Sequence, residues 1–128
     1  MKSISTFGEK IGMSELTFIE HDFIVGFNNM QASVHQTGRD KGWWDTNRSD
    51  GECIALIHSE LSEALEALRH DNPSDDKIPM FTGAEAELAD TVIRIMDLAQ
   101  QRGWDVAGAI VEKAKYNKTR PIRHGKKF

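Results

Sequence analysis

The sequence has few of the residues that mark several protein classes. Its single cysteine, Cys53, cannot form an internal disulfide and has no cysteine or histidine at zinc-ligand spacing, so we expect a small buried side chain. Three prolines among 128 residues, with 39% hydrophobic residues, argue against disorder. No apolar run approaches the roughly 18–20 residues that span a bilayer, and the N-terminus lacks a signal-peptide stretch. These absences predict a cytoplasmic protein with no membrane segment.

Charge is distributed unevenly along the chain. The net charge is −4, yet residues 113–128 contain seven of the 16 lysines and arginines and no acid, whereas all 20 acids precede them. An acidic body with a basic C-terminal arm suits a metal-bound polyanion, because each part can bind a different part of that ligand. No stable nucleic-acid complex is expected, since an acidic body offers no continuous duplex-binding face.

Two N-terminal segments precede the first clear helix-start signal. Residues 1–16 show no periodicity, and we expect them to be loosely ordered or to lie on a neighbour. Apolar residues recur at three- and four-residue steps over about residues 17–35, which predicts a first helix. Gly38 and Gly42 are expected to break it, and Trp43 opens a loop.

A second helix is expected after a capping box. Ser49 and Glu52 have the spacing at which side chain and backbone donors satisfy each other, so the helix starts there. It ends before Asn72-Pro73, because proline cannot continue it, and residues 73–81 form a loop. The predicted apolar stripe of this helix consists of Ile54, Ile57, Leu61, Ala64, Leu65 and Leu68.

Two further helices follow. Thr82 and Glu85 repeat the capping box and predict a third helix, which Gly103 ends. A fourth helix runs from a cap at Asp105 towards Thr119. The predicted buried stripe of the third helix consists of Leu88, Val92, Ile95, Met96 and Ala99.

The pattern predicts an all-α fold, a bundle of four main helices. No segment alternates as a β-strand would. The chain length fits one domain over residues 1–128, which would bury about two thirds of its unfolded surface, with a basic tail at 121–128.

Two carboxylate pairs lie at helical spacing, Glu60-x-x-Glu63 and Glu87-x-x-Asp90. Residues three apart project from nearly the same helix face, roughly 5–6 Å apart at Cβ. The two helices are joined by a short loop, which favours antiparallel neighbours, and inward-facing pairs would gather four anions in a small volume. Such anions repel one another unless a cation lies between them, so the pairs predict a magnesium or manganese site.

Each pair alone would be ordinary solvated helix surface, and other side chains test the idea. A di-iron bundle needs Glu-x-x-His pairs, and neither motif ends in histidine. His58 points to another face than Glu60, so a core or surface position is favoured for it. Glu66 and Asp97 are further candidate ligands, for which a solvent-facing role is favoured.

The paired acids and the ending of the chain resemble a known family. The ending is Lys113-x-x-x-Asn117-Lys118-x-Arg120-Pro121-x-Arg123-His124-Gly125-Lys126-Lys127. Together with the acidic pairs, it is similar to the MazG-like all-α nucleoside triphosphate pyrophosphohydrolases, in particular their small phage-type members. The resemblance covers about residues 17–127.

The resemblance implies a magnesium-dependent hydrolase, with manganese as a substitute, that cleaves a nucleoside or deoxynucleoside triphosphate to the monophosphate and pyrophosphate. It implies a four-helix MazG-like bundle completed by dimerisation, as a homodimer or homotetramer. Glu60, Glu63, Glu87 and Asp90 would hold the metal, and Glu63 is the candidate general base. The candidate substrate-binding residues are Lys113, Asn117, Lys118, Arg120, His124 and Lys126.

Several alternatives stay open. The basic tail either neutralises phosphates or is a solvated arm. Trp43 and Trp44 either stack on a base or pack in the core or a dimer interface, and packing is favoured. The base is expected to be a purine such as that of dGTP, and a related enzyme acting on dUTP is a rival. A rival from another class is a non-catalytic dimeric helical regulator or adaptor with a basic tail.

Overall fold

The computed structural model describes residues 15–128, and these residues are helical with no strand among them. The main helices are α1 (Phe18–Asp40), α2 (Asp50–Arg69), α3 (Gly83–Arg102) and α4 (Val106–Lys118), followed by a short 3-10 helix at Ile122–Gly125. The prediction of an all-α chain with four main helices is confirmed over this range. The loose order expected for residues 1–16 falls almost wholly on residues 1–14, outside the described residues.

The predicted capping boxes are present at two helix starts. The hydroxyl of Ser49 accepts from the backbone N–H of Glu52 at 3.1 Å, and the Glu52 carboxylate accepts from the N–H of Ser49 at 3.2 Å. At the start of α3, the N–H of Thr82 donates to the Glu85 carboxylate at 2.9 Å, and the N–H of Glu85 donates to the Thr82 hydroxyl at 3.2 Å. Each box satisfies N–H groups that have no partner within the helix. The starts of α2 and α3 are therefore local properties of the sequence.

The end of α1 differs from the prediction. The helix continues through Gly38 to Asp40 and ends in a Schellman motif, in which Gly42 has φ +85° and the N–H of Trp43 donates to the Gly38 carbonyl at 3.0 Å. A Cβ added at Gly38 would lie 3.1 Å from an Asp97 carboxylate oxygen. The absence of a side chain at Gly38 therefore leaves room for Asp97, and the helix continues through this glycine despite its weak helix propensity.

The chain divides into two compact units, each described by itself. The first contains the described residues up to Met30 and residues 103–128, and the second contains residues 31–102. In the first unit Ile24, Ala107 and Val111 form a small core, with Leu16 and Phe27 packed against it. The single domain expected from the chain length stays a prediction.

In the second unit α2 packs against α3. Cys53 and Ala64 are buried on α2, as are Ala84, Ala86 and Ala99 on α3, so the expected burial of Cys53 is confirmed. Met96 and Leu98 of α3 are buried as well, whereas several other large apolar residues of the two helices are exposed. Six apolar residues of the two helices are each at least 43% exposed in the single chain. We call them the exposed apolar set: Ile54, Leu61, Leu65, Leu68, Leu88 and Val92.

The burial predicted for Leu88 and Val92 on α3 is therefore wrong in the single chain, and four residues of the apolar stripe on α2 are exposed. Of the expected stripe on α3, Met96 and Ala99 are buried, and of that on α2 only Ala64 is fully buried. Among residues 15–128, no helix combines the length and apolar character that crossing a membrane requires.

Candidate metal centre

Three of the four predicted carboxylates meet between α2 and α3. Glu60 on α2 and Glu87 and Asp90 on α3 each place a carboxylate oxygen within 4.8 Å of the other two. The three-residue spacing puts Glu87 and Asp90 on one side of α3, and the packing of α2 on α3 supplies Glu60. An all-oxygen set of anions from two rigid helices fits a hard divalent cation such as Mg²⁺ or Mn²⁺.

Burial and the neighbouring charges raise the pKa of two of these carboxylates, Glu87 and Asp90. Burial raises the pKa of Glu87 to about 7, and the hydrogen bond and charge of Glu60 add to this, followed by the charges of Asp90 and Glu63. The pKa of Asp90 is also raised, by burial and then by Glu60, while Arg94 and Lys77 lower it. With no cation present, Glu87 is thus partly protonated near neutral pH, and a divalent ion would displace that proton.

Glu63 lies beside this group rather than in it. Its side chain is exposed, and its oxygens are not among the three that meet. Its negative charge nevertheless contributes to the raised pKa of Glu87, so it lies within electrostatic reach. Its assignments as a metal ligand and as the general base stay predictions.

Arg94 adds a cation that the sequence analysis did not single out. It lies one helical turn after Asp90, and its Nε donates to Oε1 of Glu60 at 2.7 Å. The Glu60 side chain is 14% exposed and that of Arg94 is 31% exposed, so the bond is largely shielded from solvent. The spacing of four from Asp90 could have pointed to Arg94, because residues at that spacing share a helix face.

Asp97 organises a second set of contacts in the same unit. Its Oδ1 accepts from Nε1 of Trp44 at 2.9 Å and lies 2.7 Å from Nδ1 of His35, while its side chain is 20% exposed. The solvent-facing role favoured for Asp97 is therefore wrong. Glu66, in contrast, is exposed and bonds to His70 at 2.8 Å, which confirms the solvent-facing role expected for it.

The two tryptophans have different environments. Trp44 is held by Asp97 and lies against the His35 ring at a centroid distance of 5.9 Å, so it packs inside this unit. Trp43 is 53% exposed, and the Arg48 guanidinium lies 5.4 Å from its ring centre. A role of either ring as a base platform stays a prediction.

A cavity of about 240 Å³ adjoins the carboxylates. Pockets that enclose a drug-sized ligand measure roughly 300–1,000 Å³, so this cavity suits only part of a nucleotide. The residues that line it, all in the second unit, are Val34, Thr37, Gly38, Trp43, Arg48, Glu60, Asp90, Ile93, Arg94 and Asp97.

The predicted substrate-binding residues belong to the first unit. Lys113, Asn117 and Lys118 lie on the exposed surface of α4, and Lys113 and Arg120 have their cationic groups 5.5 and 5.6 Å from the Tyr116 ring centre. His124 and Lys126 are exposed near the C-terminus, and His124 has a φ of +56°. Their participation in a site with the carboxylates stays a prediction.

Comparison with known proteins adds no assignment to this geometry. No family model matches the chain, and no curated protein or solved structure is significantly similar to it.

Proposed function

We propose that this chain is a metal-dependent nucleoside triphosphate pyrophosphohydrolase of the MazG-like type. It would convert a nucleoside or deoxynucleoside triphosphate into the monophosphate and pyrophosphate. The observation that supports the proposal most is the meeting of Glu60, Glu87 and Asp90 within 4.8 Å on two packed helices. Carboxylates this close repel one another, which is costly in a protein unless a cation is bound between them. Phosphoryl transfer is a reaction that uses divalent cations bound by protein side chains.

Glu60, Glu87 and Asp90 would hold Mg²⁺, or Mn²⁺ in its place. The bound cation supplies neutralisation of the triphosphate charge and lowers the pKa of the attacking water. Glu63, exposed at the side of the group, is placed in the role of general base that accepts the proton of that water. In this proposal Lys113, Lys118 and Arg120 neutralise the β- and γ-phosphates, and Asn117 binds the ribose or the base.

The proposal includes assembly into a homodimer or homotetramer. The exposed apolar set lies on α2 and α3, the helices that carry the carboxylates. Covering apolar side chains of this size with a partner is favourable, by about 25 cal/mol for each Å² of apolar surface removed from water. Sedimentation analysis of the purified chain would measure the assembly directly.

The same exposed residues favour one alternative, a non-catalytic helical regulator or adaptor. Such a protein would use the exposed apolar set to bind a partner and would leave the acidic residues solvated. Turnover of nucleotide separates the two proposals, because only the hydrolase requires it.

A substrate screen tests the proposed function. The full chain is incubated with each of the eight common NTPs and dNTPs, and with dUTP, in Mg²⁺, in Mn²⁺ and in EDTA, and monophosphate and pyrophosphate are quantified. We expect equal amounts of both products in the presence of metal and none in EDTA, with a purine such as dGTP preferred over dUTP. Release of diphosphate and orthophosphate, or no turnover of any nucleotide, would contradict the proposal; a gel shift with DNA and no turnover would favour the adaptor.

A further inference from the structure

Arg94 is held in place at the edge of the carboxylate group. Its Nε bond to Glu60 crosses from α3 to α2 at 2.7 Å, and it uses only one of the five N–H donors of a guanidinium. Within residues 15–128 the two terminal amino groups of Arg94 form no hydrogen bond. The side chain is therefore oriented by Glu60 while most of its donors stay available.

The available donors adjoin the cavity. Arg94 lines it together with Glu60 and Asp90, and Arg48 provides a second guanidinium in the wall. The wall thus combines carboxylates with guanidinium groups. The carboxylates favour a divalent cation and the arginines favour an anion, so an anion that carries its own divalent cation matches both.

We propose that Arg94 binds the triphosphate directly, with its terminal amino groups donating to non-bridging oxygens of a phosphate whose cation is held by Glu60 and Asp90. This inference rests on the proposed function. It adds a phosphate ligand within the same unit as the carboxylates, independent of the basic residues of the first unit. A planar guanidinium fits two phosphate oxygens at once, and the Glu60 bond holds its orientation before the substrate arrives.

Calorimetric titration tests the inference with two probes, Mg²⁺ alone and inorganic tripolyphosphate at saturating Mg²⁺. In Arg94→Gln we expect the Mg²⁺ affinity to be equal to that of the wild type or tighter, because no guanidinium competes for Glu60. The tripolyphosphate affinity should fall about 10- to 100-fold, the size of a lost charge-assisted pair. Arg69→Gln is the matched control, since Arg69 forms an exposed pair with Glu66 on α2 and should change neither affinity.

Unchanged tripolyphosphate binding in Arg94→Gln would overturn the inference. So would an equal loss of Mg²⁺ and tripolyphosphate affinity, because Arg94 would then act only by positioning Glu60. Arg94→Lys keeps the charge and loses the planar fork; should Arg94→Gln not fold, Arg94→Lys decides, with an intermediate affinity expected and wild-type affinity counting against the inference. A wild-type chain that binds neither probe would instead refute the proposed function, whereas nucleotide turnover with no effect of Arg94→Gln would refute this inference alone.

Discussion

The acidic residues of the second unit and the basic residues of the first differ in how firmly the fold holds them. Glu60 and Asp97 are bound by partners 34 and 62 residues away in the chain, and both side chains are largely buried. Lys113, Lys118 and Lys126 are exposed, and within residues 15–128 none of them forms a hydrogen bond or ion pair. The acids are thus preorganised, whereas the bases can adapt to a ligand.

The two groups of residues also differ in how much they change the free energy of the folded chain. Burying carboxylates beside one another costs free energy, which is visible in the raised pKa of Glu87, and a cation that neutralises the group offsets this cost. An exposed lysine costs nothing to keep in water, and each of its ion pairs contributes only about 0–1 kcal/mol. We therefore expect the acidic residues to dominate metal binding and the basic residues to adjust substrate affinity.

The largest effect is expected from Asp90→Asn. The change removes one charged ligand from the three that meet while keeping the side-chain shape, so we expect turnover with Mg²⁺ to fall on the order of 100-fold or more. Steady-state kinetics and Mg²⁺ titration would measure both consequences. Asp76→Asn, in the exposed loop between α2 and α3, is the control. An Asp90→Asn protein with normal Mg²⁺ binding and turnover would refute the metal centre.

A smaller effect is expected from ending the chain after Pro121. The truncation removes three exposed cations, Arg123, Lys126 and Lys127, together with His124, and leaves the core of the first unit intact. We expect KM for the nucleotide to rise about 10-fold with Mg²⁺ affinity unchanged, because the lost charges act on the phosphates. The full-length chain with Arg39→Gln, Lys41→Gln and Arg69→Gln, three exposed cations of the second unit, controls for net charge. Unchanged kinetics would make the tail a solvated arm.

The free energy of unfolding is expected to depend on pH through Glu87, one of the carboxylates of the second unit. The pKa of Glu87 is raised from 4.5 to about 7 in the folded chain, so between these values the folded state binds the proton more tightly than the unfolded state. The stabilisation is fully present below about pH 4.5 and is lost as pH rises through about 7. Without divalent metal, the free energy of unfolding should therefore decrease over this window.

Urea unfolding in EDTA at several pH values measures this slope. Glu87→Gln should flatten it, because the amide does not titrate, and Glu85→Gln, an exposed neighbour on α3, should not flatten it. Saturating Mg²⁺ should oppose the decrease in the wild type, since the cation binds the ionised form. A slope of the same size in Glu87→Gln would assign the titration to other groups.

The smallest effect is expected from Ser49→Ala. Loss of the hydroxyl that accepts from the Glu52 N–H should lower the free energy of unfolding by about 1 kcal/mol. Ser59→Ala is the control, because its hydroxyl only bonds to a carbonyl within α2 at 2.6 Å. Chemical unfolding in EDTA measures the difference, and an equal cost for both changes would show that the cap contributes nothing specific.

Local signals predicted most of the secondary structure. The boxes at Ser49 and Thr82 and the glycine at Gly103 act within a few residues of themselves, so their effect can be read without knowledge of the fold. The same locality paired Glu87 with Asp90 on one helix face. The expected break of α1 at Gly38 was wrong, because the helix continues to Asp40 and the glycine that ends it is Gly42.

The partners of the site residues required the folded chain. The bond between Arg94 and Glu60, the acceptor role of Asp97 and the exposure of Leu65 all depend on how α1, α2 and α3 pack. Helix periodicity predicts which residues share a face of the helix. It does not predict which face packs against a neighbouring helix when small and large apolar residues occur on adjacent faces. The sequence alone therefore determined the helix caps and the spacing of the acidic pairs, whereas the packing of α2 on α3 decided which carboxylates meet.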